Sequence, residues 1–180
     1  HTGRHSVILY SASEVRVLER RLLVEHPFLN KLGPDVLDNR LTWRQIADRL
    51  AEPAFCGRSL ASLYLDQSFL AGVGNYMRSE ILHEAALHPA LRPKMLSRGE
   101  RGQLSRATLL IAKRAYEGAG VTNSPGRVRT LKRLGYPRRD YRFAAFARAG
   151  LPCYRCTGTI RRIEVSARRL YYCPSCQAEQ

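Results

Sequence analysis

The sequence predicts a mainly α-helical domain followed by a small β-hairpin held at its base by four cysteines. Three observations predict it. Cys153, Cys156, Cys173 and Cys176 form a Cys-x2-Cys-x16-Cys-x2-Cys array; each pair can turn both sulfurs towards one point, and the stretch between the pairs is long enough for two short strands. Apolar residues recur at helical spacing through residues 42–118, where two Ser/Thr-x-x-Glu/Gln capping boxes mark helix starts. The charge is large and uneven: Lys+Arg 30 against Asp+Glu 15 gives +15, of which residues 121–180 hold 13 against 3 (+10) and residues 1–120 hold 17 against 12 (+5).

A chain of 180 residues can bury one substantial core and a small satellite, and 44% hydrophobic content excludes a disordered chain. No apolar run approaches the roughly 20 residues of a membrane span, and the start, His1-Thr2-Gly3-Arg4-His5, does not read as a signal peptide. Ser6 to Tyr10 reads as a strand with nothing to pair with in the helical stretch after it, the remnant of a sheet that precedes it. Ser11-Ala12-Ser13 offers N-caps for a helix ending near Leu23, and His26-Pro27 and Gly33-Pro34 interrupt the chain. Thr42 to Gln45 is the first capping box; its helix ends near Ala51 with Trp43, Ile46, Ala47 and Leu50 on one face, and Pro53 stops it.

Residues 58–87 predict two helices, one carrying Leu60, Leu63, Tyr64, Gln67 and Leu70, the other Met77, Ile81, Leu82 and Ala85. The turn between them is Ala71-Gly72-Val73-Gly74-Asn75. Gly72 is expected to end the first helix in a left-handed conformation, Gly74 to let the backbone lie close to a ligand, and Asn75 to cap the second helix. Free amides at such a helix start suit phosphate. Asp66 and Gln67 read as a pair that holds the turn rather than as catalytic groups. Ser97 to Glu100 is the second capping box, opening a core helix that ends near Gly118 with Leu104, Ala107, Thr108 and Ile111 inside. His83 and His88 lack a partner array and read as solvated or capping side chains. Residues 118–140, where Arg127, Arg129, Lys132, Arg133, Arg138 and Arg139 alternate with Gly, Asn, Ser and Pro, predict a long basic loop, and Tyr141 to Phe146 a strand. The hairpin strands are Ile160 to Val165 and Leu170 to Tyr172, reversing at Ser166-Ala167.

Four converging thiolates make a closed tetrahedral site suited to one structural Zn2+, with no open position for a catalytic water. Its work is to fold a segment too small to bury a core of its own. Cys56, left over, reads as a small packed residue, since nothing nearby lowers its pKa. Reduced cysteines with a metal point to an intracellular compartment. The hairpin presents Arg155, Arg161, Arg162, Arg168 and Arg169, and a basic terminal third implies a polyanionic partner. Lipid fits less well than nucleic acid, because no basic amphipathic helix with an apolar face occurs there.

Three motifs, Leu65–Tyr76 (LDQSFLAGVGNY), His26–Leu29 with Gly33–Asp38, and Cys153–Gln177, together resemble the formamidopyrimidine-DNA glycosylase/endonuclease VIII family, the endonuclease VIII branch most closely. The resemblance covers nearly the whole chain. It implies a helix–two-turn–helix domain at residues 11–119, a basic, lesion-facing loop at 120–140 and a zinc ribbon-like hairpin at 141–180. It also implies an N-terminal β-sandwich domain of which only a last strand, residues 1–10, is represented. Carried over residue by residue, Asn75, with Gly74, matches the turn that holds phosphates flanking a damaged nucleotide, and Arg168 matches the hairpin arginine that clamps the same backbone. Arg169 departs from the usual small residue or proline, so the two arginines are candidates together. The implied activity is that of a bifunctional DNA glycosylase/AP lyase acting on oxidised, chiefly pyrimidine, bases in double-stranded DNA, as a monomer in the bacterial cytoplasm and nucleoid. The family nucleophile is an N-terminal proline followed by glutamate; this sequence starts His1-Thr2, so no catalytic residue is assigned and the chain alone is expected to bind without excising. A non-catalytic zinc-dependent nucleic-acid module and a zinc domain that docks on protein are the alternatives.

Overall fold

The structure, a computed structural model, describes Val15 and residues 17–179. The strand expected at residues 6–10 and the start of the following helix lie outside the described residues. The chain divides into residues 1–31 and residues 32–180. In the first unit the described segments are two 3-10 turns, Arg20–Glu25 and Leu29–Lys31. The α-helix expected to reach Leu23 is thus a short 3-10 turn where it is described, and Glu19 before it provides no side-chain cap.

The second unit carries, among the described residues, one 3-10 turn, Pro93–Met95, and seven α-helices: α1 Trp43–Ala51, α2 Pro53–Cys56, α3 Leu60–Leu63, α4 Asn75–Glu84, α5 Arg98–Glu117, α6 Pro125–Arg133 and α7 Arg138–Tyr141. Both capping boxes form. Thr42 accepts from the Gln45 amide while Gln45 Oε1 accepts from the Thr42 amide, and Ser97 and Glu100 do the same for α5. Such a cap contributes about 1 kcal/mol. Pro53 does not simply stop α1: Glu52 takes an extended conformation and Pro53 becomes the first residue of α2, a position where a missing N–H costs nothing. The helix expected from Leu60 to Leu70 ends at Leu63, after which Leu65 to Leu70 folds into successive turns.

The long helix α5 is the wall against which α1 and α4 pack. Ile46 and Leu50 of α1, Leu60 and Leu63 of α3, Ile81 and Leu82 of α4, and Leu104 and Ile111 of α5 meet Phe69 and Leu70 in one core, all at 1% exposure or less. Burying each such side chain is worth about 1.5–3 kcal/mol.

The hairpin consists of β1 Arg161–Val165 and β2 Arg168–Tyr172, antiparallel, with Ile163 opposite Leu170 and Val165 opposite Arg168. Ser166 and Ala167 both have φ of 55°, the two-residue turn with positive φ at both positions whose twist suits a hairpin. Strand alternation then divides β2 between two cores. Leu170 and Tyr172 join the helical core, whereas Tyr171 faces Ala145, Cys153, Ile160 and Cys173.

Two expectations fail between α5 and the hairpin. Residues 118–140 are not one loop: Ser124 accepts from the Arg127 amide and Pro125 starts α6. Residues 141–146 are not a strand. The amides of Ala144, Ala145 and Phe146 donate at 2.8 Å to the carboxylate of Glu80 on α4 rather than to a neighbouring strand, and Thr122 Oγ1 donates to the same group at 2.6 Å. Glu80 is 1% exposed, so four donors gather on one buried carboxylate and tie this segment to α4. Phe143 and Phe146 complete a chain of ring contacts from Tyr76 to Tyr171.

Candidate nucleic-acid interface and metal centre

The turn before α4 is built by Gln67. Its side-chain amide donates to the Val73 carbonyl at 2.9 Å, and its Oε1 accepts from the Gly72 amide at 3.0 Å. Asp66 accepts from the Ser68 amide and hydroxyl and pairs with Arg58. Burial pushes the Asp66 carboxyl up, but the bonds from Ser68 and Arg58 outweigh it and hold it below the usual range. The expected structural pair is thus present. Gly72 has φ of 88°, the left-handed conformation expected of it, but it ends no helix, since α3 stops at Leu63. Gly74 is extended, and a Cβ there meets no atom within 4 Å; its bare face opens outward.

Asn75 does not cap α4. Gly74 is the N-cap and Asn75 the first helical residue, and no side chain caps this helix. By contrast Thr42, Ser97 and Ser124 cap α1, α5 and α6. The reason lies one turn on. Arg78, fully buried, donates to Asn75 Oδ1 at 2.7 Å and to the Ala61 carbonyl at 2.8 Å. The asparagine oxygen is therefore turned towards the helix interior, and the side-chain NH2 and the first-turn amides of α4 are left for water or a ligand. The same Arg78 nitrogen lies 3.5 Å from the Arg169 carbonyl of β2. One buried guanidinium thus bridges the turn and the basic hairpin. It has no carboxylate partner among the described residues, and its Nε has no hydrogen-bond partner. Burial, then the charge of Arg168, lowers its pKa to about 10. Nothing in the sequence marked Arg78, because a charged residue in a helix ordinarily reads as solvated.

Arg168 and Arg169 open β2, opposite Val165 and Glu164, and both are exposed, as are Arg161 and Arg162 on β1. None of the four has an ion-pair partner among the described residues. Beyond Arg78, the hairpin is fixed to α4 by the Tyr171 amide donating to Ser79 Oγ at 3.1 Å.

At the other end of α4 the four cysteines meet. Their sulfurs lie within 4.8 Å of one another, with Cys153 to Cys176 at 3.9 Å and Cys156 to Cys173 at 3.5 Å. A tetrahedral zinc with bonds of about 2.3 Å places its sulfurs about 3.8 Å apart, so these residues fit one structural Zn2+. The knuckles are pressed together: a Cβ on Gly158 stands 2.5 Å from Ser175 Oγ. Among the thiols, burial pushes Cys176 and Cys173 up, while hydrogen bonding to Cys176 first holds Cys156 down at about 7; a dication ionises all four.

His83 is not solvated as expected. It is buried with Nε2 3.3 Å from Cys153 Sγ, and burial, with the charges of Arg155 and Arg148, pushes it down to about 4. With a metal on Cys153, the tautomer that carries its proton on Nε2 would donate to that sulfur, as an outer partner of a metal ligand does. His88 packs edge-on against Tyr172. Arg155 donates to the His83 and Glu84 carbonyls that end α4, and Gln177 links the Cys173 amide to the Leu87 carbonyl, each at 2.9 Å. The metal centre is thereby seated on the helical domain.

A family model described as the formamidopyrimidine-DNA glycosylase H2TH domain matches residues 32–125, over half of the chain, and one described as the zinc finger found in FPG and IleRS matches residues 150–178. The chain belongs to the formamidopyrimidine-DNA glycosylase/endonuclease VIII family. Among its relatives, Endonuclease 8 of Salmonella paratyphi B is 40% identical over 176 residues, 98% of this chain and 64% of that protein. Endonuclease 8 of Pectobacterium atrosepticum is 42% identical over 177 residues with the same coverage. The chain therefore spans 64% of the length of these relatives. The crystal structure of MutM (Fpg) from Thermus thermophilus superposes with a TM-score of 0.68 at 32% identity, covering 88% of this chain and 58% of that one. A Lactococcus lactis Fpg mutant in complex with Fapy-dG containing DNA gives 0.72 at 20% identity over 90% and 57%, a likeness of fold. The first matched range holds α1 to α5 with the turn at residues 72–75, and the second holds the four cysteines and the hairpin. No helix among the described residues is long and apolar enough to cross a membrane.

Proposed function

We propose that this chain is the DNA-binding part of a base-excision-repair glycosylase with AP lyase activity, directed at oxidised pyrimidine bases in double-stranded DNA of the bacterial cytoplasm and nucleoid. Asn75, with the bare Gly74 and the uncapped start of α4, takes one stretch of phosphates, and Arg168, aided by Arg169, takes the adjoining stretch. Extruding a nucleotide from the duplex costs a few kcal/mol, and two clamps on the flanking backbone offset that cost. The observation that carries this reading is Arg78, whose guanidinium reaches both Asn75 Oδ1 and the Arg169 carbonyl. It sets the two elements in fixed relation and leaves its own charge uncompensated beside the proposed phosphate site. The residues assigned to this clamp, Gly74, Asn75, Arg168 and Arg169, hold phosphate and offer no amine or thiol nucleophile, so binding is the step proposed for these 180 residues.

Competition binding tests this. The chain is expected to prefer duplex carrying an abasic site over intact duplex and over RNA, with an affinity that falls steeply from low to physiological salt as phosphate-bound counterions are released. Borohydride trapping on the same abasic duplex is expected to yield no covalent adduct. Equal affinity for all three nucleic acids contradicts the repair reading and favours a general nucleic-acid module.

A further inference from the structure

A groove of about 560 Å³ lies between α6–α7 and the first cysteine knuckle, outside the clamp just described. Its Tyr154 wall adjoins Arg155, which bonds the last carbonyls of α4; at 1.5 Å per residue this end of α4 is about 12 Å from Asn75. Leu131 and Leu151 give the groove aliphatic sides, and Leu151 and Tyr136 stand 49% and 48% exposed. On its floor is Arg148, 6% exposed, stacked 3.5 Å over the Tyr154 ring and donating to the Ala144 and Pro152 carbonyls. Arg148 has no ion-pair partner within 4 Å among the described residues, although the Glu80 carboxylate and the Cys153 sulfur attract it from further off. The one carboxylate lining the groove, Asp140, pairs instead with Arg139 at 3.7 Å. A buried cation beside aliphatic walls, in the part of the chain that carries +10, is complementary to a carboxylate next to an apolar side chain.

We propose that this groove docks an acidic peptide segment of another protein, an apolar side chain entering between Leu131 and Leu151 while a carboxylate pairs with Arg148. Nucleic acid fits less well. Tyr154 already holds Arg148 and Arg127 over its ring, at 3.5 and 4.6 Å, so it offers no free face for a base to stack on. A second copy fits less well too, since these 180 residues contain no two adjacent acidic residues and carry +15.

The test uses the zinc-loaded chain and a fluorescein-labelled peptide of four aspartates followed by isoleucine, leucine and phenylalanine, read by fluorescence anisotropy. Saturable binding is expected, weakened at least tenfold by Leu151→Glu and by Arg139→Glu, and unchanged by Asn75→Ala. Both groove positions are solvent-accessible, and unchanged melting and zinc content verify the fold; if Leu151→Glu fails there, Tyr136→Glu takes its place with the same expectation. A peptide of aspartates alone, and oligothymidylate, should each compete at least tenfold less well. No saturable binding, binding indifferent to the groove variants, displacement by oligothymidylate as effective as by the peptide, or a dimer that Leu151→Glu dissolves would each overturn the proposal.

Discussion

Replacing Arg78 by methionine separates the cost of a buried charge from its use. In the free protein the guanidinium is held well below its usual value, at about 10, by burial and then by Arg168, which at about 1.4 kcal/mol per pKa unit corresponds to roughly 3 kcal/mol against the charged form. Its bonds to Ala61 O and Asn75 Oδ1, at 2.8 and 2.7 Å, return about 1.5–3 kcal/mol each. Methionine removes both contributions and keeps much of the volume. Stability is therefore expected to fall by at most about 3 kcal/mol, measured by urea unfolding of the zinc-loaded protein. Binding should suffer more in proportion. Asn75 loses the contact that fixes its oxygen inward, and a phosphate loses a nearby cation. A weakening of about 1.5–3 kcal/mol, or roughly ten- to a hundredfold, is expected for an abasic-site duplex by anisotropy. In an Asn75→Ala background most of this effect should vanish, because the two residues act as one unit. If Arg78→Met folds, keeps its zinc and binds that duplex as wild type does, Arg78 is a core residue only and the link between turn and hairpin has no bearing on DNA.

The turn yields two further expectations. Gly74→Ala meets open space on an extended backbone, so stability should stay within about 0.5 kcal/mol while affinity for abasic duplex drops at least tenfold; unchanged affinity removes Gly74 from the interface. Asp66 has its folded pKa depressed, so the stability it adds is present above the usual carboxylate value near 4 and is lost as pH falls through the lower folded value. Asp66→Asn should accordingly be less stable than wild type at pH 5, and the gap should narrow towards pH 3 in urea titrations; a constant gap contradicts the assignment.

Much of this protein was legible because its signals are local. Cysteine spacing defined the metal centre, the two capping boxes set the starts of α1 and α5, and Gly72 marked the left-handed turn. The two hairpin strands and their reversal at Ser166-Ala167 followed from the β-branched and aromatic runs on either side. What was missed depends on partners far along the chain. Tyr141 to Phe146 looks like a strand until Glu80, over sixty residues earlier, takes its amides. His83 gains its role only when Cys153 arrives beside it, and Arg78 only when β2 covers α4. α6 is a different case. Ser124-Pro125 is itself a helix-start signal, outweighed by the Gly and basic residues around it.

The central claim is that the Asn75 turn and the Arg168 hairpin grip one strand together. A double-mutant cycle on an abasic-site duplex, Asn75→Ala against Arg168→Ala, tests it most directly. Each single change is expected to weaken binding by about 1–3 kcal/mol, and the pair by at least about 0.5 kcal/mol less than the sum of the two. Losses that add fully, or an Arg168→Ala protein that binds as tightly as wild type, would show that the two elements do not share a ligand.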